Sequence, residues 1–366
     1  MSDRQNSDSL AVLMLACRDY ESMELALACH MRYSPDNIPY FILQNCRGNY
    51  DAERTLEVAR RYQKLFPHRI SVIDDIAPGT PYASIDAALS SARLSSYKYI
   101  CKVDDDAFPI TEGWIVDLLA AFQEWKGRFG NELAYVTPLI NNNTWGFTQV
   151  LSAMGLEEEY YSQIARVHTA GNDTSGDTPM RILPRTEIAV GVDGTIWGYP
   201  YMARWLHEKT TLQPDRFVEG VRGLSDTEVS AAHRYSIGCI LFESSLWSKI
   251  KDDSGDDEAM MLRYCKKNNL KIGARRSIPF VHMAYFSQRE ENRDIVESAR
   301  NFYQERLGHP FPIGLRQSRL LELESRLRWL ERDAAHSIPS CNFGLTGRTR
   351  KRKRGRFRRL ISKISW

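Results

Sequence analysis

Four short apolar runs, each followed by a stretch of helical spacing, constrain this chain more than any other feature. Ala11 to Ala16 (AVLMLA) is continuous and closes on Cys17-Arg18-Asp19, and Pro39 to Asn45 (PYFILQN), His68 to Ile73 and Tyr97 to Val103 (YKYICKV) are of the same kind. Short runs with little polar alternation belong to strands buried on both faces. Between them lie Tyr20 to Arg32, Asp51 to Phe66 and the small-residue stretch Ser84 to Leu94, all read as helices. A β-α-β-α-β-α-β order needs crossovers, and these build a parallel, doubly wound α/β sheet. Ligands of such sheets sit outside the carboxyl ends of the strands, so the functional polar groups are expected there.

The pattern continues with a helix from Trp114 to Trp125 and a strand from Leu133 to Thr137. From Asn141 to His233 it breaks into long, aromatic, irregular sequence with a disorder-prone stretch, Ala170 to Pro179. Regularity returns with a strand from Tyr235 to Phe242, a helix from about Asp256 to Asn268, a short strand from Phe280 to Tyr285, and helices near Asn292 to Leu307 and Leu315 to Ala335. The expected organisation is a disordered 1–9, one main domain over 10–290, a helical extension over 291–345 and a basic tail over 346–366. No apolar run approaches 18 residues, which excludes a spanning helix. MSDRQNSDSL lacks a basic flank and an apolar core, so it does not read as a secretory signal and a cytoplasmic location is expected. The seven cysteines are scattered, without a C-x-x-C pair, and indicate neither a disulfide framework nor a zinc site.

The fourth strand runs directly into Asp104-Asp105-Asp106. Strand alternation puts Asp104 and Asp106 on one side and Asp105 on the other. Two carboxylates facing one site suit Mg²⁺ or Mn²⁺, which completes its shell with water and phosphate oxygens. A solvated Asp-rich turn before the helix entry Thr111-Glu112-Gly113 is the competing reading. A second acidic cluster, Asp252, Asp253, Asp256, Asp257 and Glu258, gathers where a later helix begins. Its Ser254-Gly255-Asp256-Asp257 is a capping-box pattern with Asp in place of Glu, and carboxylates are favoured at a helix N-terminus.

Four elements in order carry a family resemblance: Ala11 to Asp19, the run Ala83 to Phe108 with its D-x-D, Gly238 to Trp247 (GCILFESSLW), and Asp256-Asp257 followed by Leu262-Arg263. Over roughly Leu10 to Phe286 the chain resembles the GT-A glycosyltransferases, most closely the inverting, family-two-like ones. The resemblance implies a Rossmann-like, mostly parallel sheet with helices on both faces. It divides the domain into a nucleotide-sugar half, 10–140, and an acceptor half, 141–290. It further implies that Asp106 ligates the metal, that Asp104 contacts ribose or metal beside Asp105, and that Asp257 is the general base, with Asp256 at the acceptor. Arg18, Gln44 and Asn45 fall where these enzymes meet the donor, although the acidic residue usual at the second strand's end is replaced here by the two amides. An amide can still pair with a nucleobase edge.

His282, 25 residues after Asp257, shares a strand face with Phe280 and Ala284. The resemblance makes it a further metal ligand, and a hydrogen-bonded core histidine is the alternative. Arg275, Arg276 and Arg289 flank it as candidate diphosphate contacts or as a solvated basic edge. Trp145, Phe147, Trp197 and Tyr199, set among Gly and Asn, are candidates for stacking on an acceptor sugar or for core packing, with Trp197 and Tyr199 taken as acceptor residues.

Thr346 to Trp366 holds ten Lys/Arg and no acid, so the net charge of +3 belongs to the tail and the rest of the chain is acidic. Phe357, Leu360, Ile361 and Ile364 fall on one face of a short helix, beside that charge. Such a segment suits an anionic membrane surface; a nucleic-acid or targeting patch and a solvated end are the alternatives. No nucleic-acid fold is visible elsewhere, so nucleic acid is not an expected partner.

The resulting expectation is a metal-dependent glycosyltransferase, peripheral on the cytoplasmic face of a membrane. Its donor is a nucleotide sugar and its acceptor a glycan or lipid-linked saccharide. The rivals are a nucleotidyltransferase making sugar nucleotides, which should carry a Gly-rich loop after the first strand, and a non-catalytic binding protein on a degenerate transferase fold.

Overall fold

The computed structural model describes residues 9–17, 19–46, 51–164, 200–231, 236–250, 256–283 and 292–308. Arg18, Trp197, Tyr199, Arg289, the disorder-prone 170–179, the second C-terminal helix and the basic tail lie outside these residues. The described residues belong to one compact unit, Met1–Ser318; the other unit, Arg319–Trp366, lies outside them.

β1 (Leu10–Ala16) is buried along its whole length, and its alternation separates two cores. Leu10, Val12, Met14 and Ala16 face one, which is closed by α1 (Tyr20–Tyr33), α2 (Asp51–Leu65) and α4 (Trp114–Phe129). Ala11, Leu13 and Leu15 face the other, closed by α3 (Pro81–Ser90) and α8 (Asp257–Lys267). β1 pairs in parallel with β2 (Tyr40–Gln44) and β4 (Tyr99–Asp104), and β2 pairs in parallel with β3 (Ile70–Ile73). Asp19 starts α1 by accepting from the backbone N–H groups of Glu21 and Ser22, satisfying two of the helix's unpaired donors.

Beyond β4 the sheet is mixed. β8 (Cys239–Glu243) lies antiparallel between β4 and β6 (Leu133–Ile140), and β6 pairs in parallel with β9 (Lys271–His282). The edges of β9 are taken by β7 (Thr227–Val229) and β5 (Ala107–Pro109), both antiparallel. Helices on both faces of this mostly parallel sheet make the Rossmann-like, GT-A-like fold that the resemblance implies. C-terminal to it, α9 (Arg293–Leu307) docks on α1 through Arg300, whose guanidinium donates to the Glu21 carbonyl and the Glu24 carboxylate.

Two stretches differ from expectation. The last strand starts at Lys271, well before Phe280, because Gly273 lets it pass against Trp125: a Cβ there would stand 2.7 Å from the ring. The irregular region contains α5 (Thr144–Ala153), α6 (Pro200–Lys209) and α7 (Pro214–Val221), all contributing to the first core. Phe147 is fully buried against Tyr160, so it is a core residue and no sugar platform.

A hydrogen-bonded chain crosses the first core. Trp114 Nε1 donates to Ser34 Oγ (2.9 Å), which lies 2.6 Å from Tyr40 Oη, itself 3.2 Å from His30 Nδ1; His30 Nε2 is 2.9 Å from the Ala107 carbonyl. With Trp114 donating at one end and the Ala107 carbonyl accepting at the other, a one-way run of protons through Ser34, Tyr40 and a neutral His30 would use every donor in the chain. Burial pushes the pKa of His30 down to about 3, against the pull of the Ala107 carbonyl. His207 is similarly held, between Thr211 Oγ1 and the Met283 carbonyl, and burial lowers it to about 4.

Both groups bind fewer protons folded than unfolded between their lowered values and about pH 6.5, so stability present above pH 6.5 is lost as pH falls through that window. Urea unfolding at pH 7 and pH 5 should show this loss, with on the order of 2 kcal/mol from each histidine at pH 5. His30→Gln should flatten the dependence; an unchanged slope would mean that His30 is already protonated in the folded protein.

Candidate active site

Asp104 ends β4, and the chain turns through Asp105 and Asp106 into β5. β5 pairs with the end of β9 in a register that sets Ala107 opposite His282. The consequence is a cluster: His282 Nε2 lies 3.0 Å from Asp106 Oδ1 and 4.0 Å from Asp104 Oδ2. One ligand atom from each of Asp104, Asp106 and His282 lies within 4.8 Å of the others. Asp105 faces elsewhere, its Oδ2 accepting from the Cys17 N–H at 2.7 Å, which ties the end of β1 to the acidic turn.

These donors fit a divalent cation of the Mg²⁺ or Mn²⁺ kind, since carboxylate oxygens suit such hard ions. Gly238 fits too: a Cβ there would fill the space beside Asp104 Oδ2 and His282 Nδ1, at 3.4 and 3.5 Å. Burial pulls the His282 imidazole down, but Asp106 and Asp104 outweigh it and raise its pKa to about 8. Burial raises Asp104 against the opposing pull of Lys102 and His282, and it raises Asp105 well above the usual carboxylate range, with Asp106 adding to it. The raised proton affinity of His282 reports the negative charge that Asp106 and Asp104 place around the ring, and a divalent cation held by the same three side chains would take the place of that proton.

The His282 backbone is fixed by a run of asparagines after β6. Asn141 Oδ1 accepts from the His282 N–H (3.0 Å) and Asn142 Nδ2 donates to its carbonyl (2.7 Å). Asn143 Nδ2 reaches the Ser236 carbonyl at 2.6 Å, holding the segment that leads to Gly238. In sequence this run reads only as the start of irregular chain; its signal was three amides directly after a buried strand.

Asp257 approaches from α8, on the other side of Asp104. Asp256 is the residue that caps this helix, accepting from the Ala259 N–H at 3.1 Å, so Asp257 is free of that duty. Asp257 is buried, and its Oδ2 lies 3.3 Å from Lys102 Nζ. The same ammonium donates to Asp104 Oδ1 at 2.6 Å. Lys102 escapes a sequence reading because it sits inside the apolar run YKYICKV, and its two carboxylate partners come from different elements.

Gln44 ends β2 and Asn45 follows it, at the same end of the sheet. Gln44 Nε2 donates to the Ala52 carbonyl at 3.0 Å, and Asn45 Oδ1 accepts from the Gly79 N–H and Ser84 Oγ at 2.9 and 2.8 Å. Both amides thus knit the loops around the strand ends. Arg275 pairs with Glu124 and Asp226, and Arg276 with Gln149 and Ser225. Neither is brought to the Asp104 cluster.

No family model matches the sequence, and no curated protein matches it. Among solved structures the chain is similar to the mannosyltransferase PcManGT from Pyrobaculum calidifontis, a structure in complex with GDP-Man and Mn²⁺ (10% identity, 90% of this chain and 76% of that one, TM-score 0.42). It is also similar to S. aureus TarS 1-349 (10% identity, 81% of this chain and 65% of that one, TM-score 0.37). To S. aureus TarS the identity is 11% over 81% of this chain and 43% of that one, with a TM-score of 0.38.

The cluster makes two outcomes measurable by Mn²⁺ titration. Asp106→Ala should abolish Mn²⁺ binding while the protein stays folded. Asn142→Ala, which only loosens the His282 backbone, should weaken it by about 10- to 100-fold, the usual effect of removing an outer-shell partner. Unchanged Mn²⁺ affinity in Asp106→Ala would remove that residue from the site.

Proposed function

We propose that this chain is a metal-dependent glycosyltransferase that moves a sugar from a nucleotide-sugar donor to a hydroxyl of a glycan or lipid-linked acceptor, with inversion. The observation that carries this reading is the meeting of two acidic functions from separate elements: the cluster of Asp104 at the end of β4, Asp106 in the turn after it and His282 on β9, and the buried Asp257 on α8. A site with only the first would bind a cation; adding the second supplies a proton acceptor beside it.

Asp104, Asp106 and His282 would hold Mn²⁺ or Mg²⁺, which when bound neutralises charge on the leaving diphosphate. Asp105, Asn45 and Gln44 frame the donor at the sheet end, Asp105 and Asn45 chiefly by fixing the loops that surround it, and Arg18 is proposed as a further donor contact. Asp257 takes the proton of the acceptor hydroxyl as that oxygen bonds to the anomeric carbon. The bond from that carbon to the diphosphate oxygen breaks, its electron pair leaving with the nucleoside diphosphate. A single displacement from the opposite face inverts the centre. Asp256 starts the helix that presents Asp257, while Trp197 and Tyr199 are proposed to stack on the acceptor.

Asp257→Asn keeps the size of the side chain but cannot act as a carboxylate base. Donor binding should persist, measured by calorimetry with Mn²⁺, while transfer falls by roughly 10² to 10⁴. Transfer at the wild-type rate would exclude Asp257 as the base.

Peripheral attachment to the cytoplasmic face of a membrane is proposed from the tail. Among the described residues no helix is long and apolar enough to cross a membrane. Ten basic residues beside Phe357, Leu360, Ile361 and Ile364 combine charge attraction with apolar insertion. Co-sedimentation with anionic vesicles should be lost on removing Thr346 to Trp366 and weakened by salt, with activity on a soluble acceptor retained. Equal pelleting of the truncated protein would place the anchor elsewhere.

A further inference from the structure

Lys102 has no part in the chemistry just described, yet it is among the costliest groups in the fold. It is 2% exposed, in register with Leu13 of β1 and Ile240 of β8, both fully buried. An ammonium in such surroundings is held only by pairing, and a hydrophobic residue of similar size is often no less stabilising. Its stem follows the face of β4 that also carries Asp104, bringing Nζ to the sheet end. There it donates to Asp104 Oδ1 at 2.6 Å and to the Ile237 carbonyl at 3.2 Å, and it stands 3.3 Å from Asp257 Oδ2 as an ion pair.

The division of oxygens is informative. Asp104 presents Oδ1 to Lys102 and Oδ2 toward His282, so one carboxylate faces both the ammonium and the cation cluster. Asp257 Oδ2 is buried and receives no hydrogen bond, so the charge of Lys102 is what stabilises it there. Ile237 is gripped from both sides, its carbonyl by Lys102 and its N–H by Glu258 Oε1 at 3.2 Å, and Gly238 beside it lines the cluster.

We propose that Lys102 is a positioning residue that couples the two halves of the site: its ammonium, seated between Asp104 and Asp257, fixes the spacing between the cation ligand on β4 and the base on α8. This rests on the glycosyltransferase reading for its catalytic consequence, but not for the physical link itself. Removing the ammonium leaves the half-buried carboxylate of Asp104 and the buried one of Asp257 without the cation seated between them, and their repulsion drives them apart. Displacement of a reacting group by about 1 Å can cost on the order of 10² in rate.

The test is a cycle of full-length variants: Lys102→Met, Asp257→Asn and the two combined. Thermal unfolding without metal reads the link. Lys102→Met should melt well below wild type, and adding Asp257→Asn should restore part of the loss by removing one of the two opposed charges. If Lys102→Met does not fold, recovery of a folded protein in the double variant is the same result. Losses that merely add, or a double variant that also fails to fold, overturn the coupling. Steady-state kinetics with Mn²⁺ then read the consequence. Lys102→Met should keep the donor KM within about threefold and lose kcat by roughly 10², with partial recovery in Lys102→Arg. A raised KM at unchanged kcat overturns the positioning role. A wild type that transfers no sugar from any donor defeats the proposed reaction instead, and the thermal cycle still decides whether Lys102 joins the two carboxylates.

Discussion

Concentrated, poorly solvated negative charge at the carboxyl end of β4 is the constraint around which the functional end of this molecule is arranged. Asp104, Asp105, Asp106 and Asp257 are drawn together from two segments, and burial, with the neighbouring carboxylates adding to it, drives the carboxyls of Asp104 and Asp105 toward neutrality. Each is compensated differently. Lys102 serves Asp104 and Asp257, His282 serves Asp106, and a backbone N–H from Cys17 serves Asp105. A cluster balanced this closely holds its geometry only while each partner stays in place, which explains why so many hydrogen bonds of the surrounding loops end on backbone atoms next to it.

The placement of His282 shows how a long strand serves a local site. β9 pairs with β6 along much of its length, with a register irregularity between Pro138 and Leu139, and exchanges β7 for β5 as its other neighbour. The first part is anchored by Trp125 lying on Gly273 and by the pairing of Arg275 with Glu124 and Asp226. The last part hands His282 to the acidic turn, where Asn141 and Asn142 hold its backbone. His207 secures the next residue, Met283, whose own N–H donates to the Asp106 carbonyl. The imidazole is thus oriented by buried bonds on both sides.

The start of α8 separates two tasks that adjacent carboxylates often share. Asp256 satisfies the helix, and Asp257 turns to the ammonium of Lys102. Capping by one residue lets the other be presented to the site without costing the helix its first hydrogen bond. The buried chain from Trp114 to His30 does comparable work at the opposite face, where it ends on Ala107, the residue after Asp106, and so steadies the acidic turn from beneath.

By itself the sequence determined the order of strands and helices through Tyr97 to Val103, because buried parallel strands announce themselves as unbroken apolar runs. It also grouped Asp104 with Asp106 apart from Asp105, although the strand ends at Asp104 and a turn, not alternation, carries Asp106 to the same cluster. Lys102 and the Asn141 to Asn143 run were not legible, since a lysine in an apolar run and three amides before a loop acquire meaning only from partners far along the chain. The same holds for Arg275 and Arg276, whose charge suggested phosphate until their pairing with Glu124, Asp226 and Gln149 was seen. Local order depends on neighbours in sequence, whereas compensation of buried charge depends on neighbours in space. Only the tertiary structure decided which ammonium stands between which carboxylates.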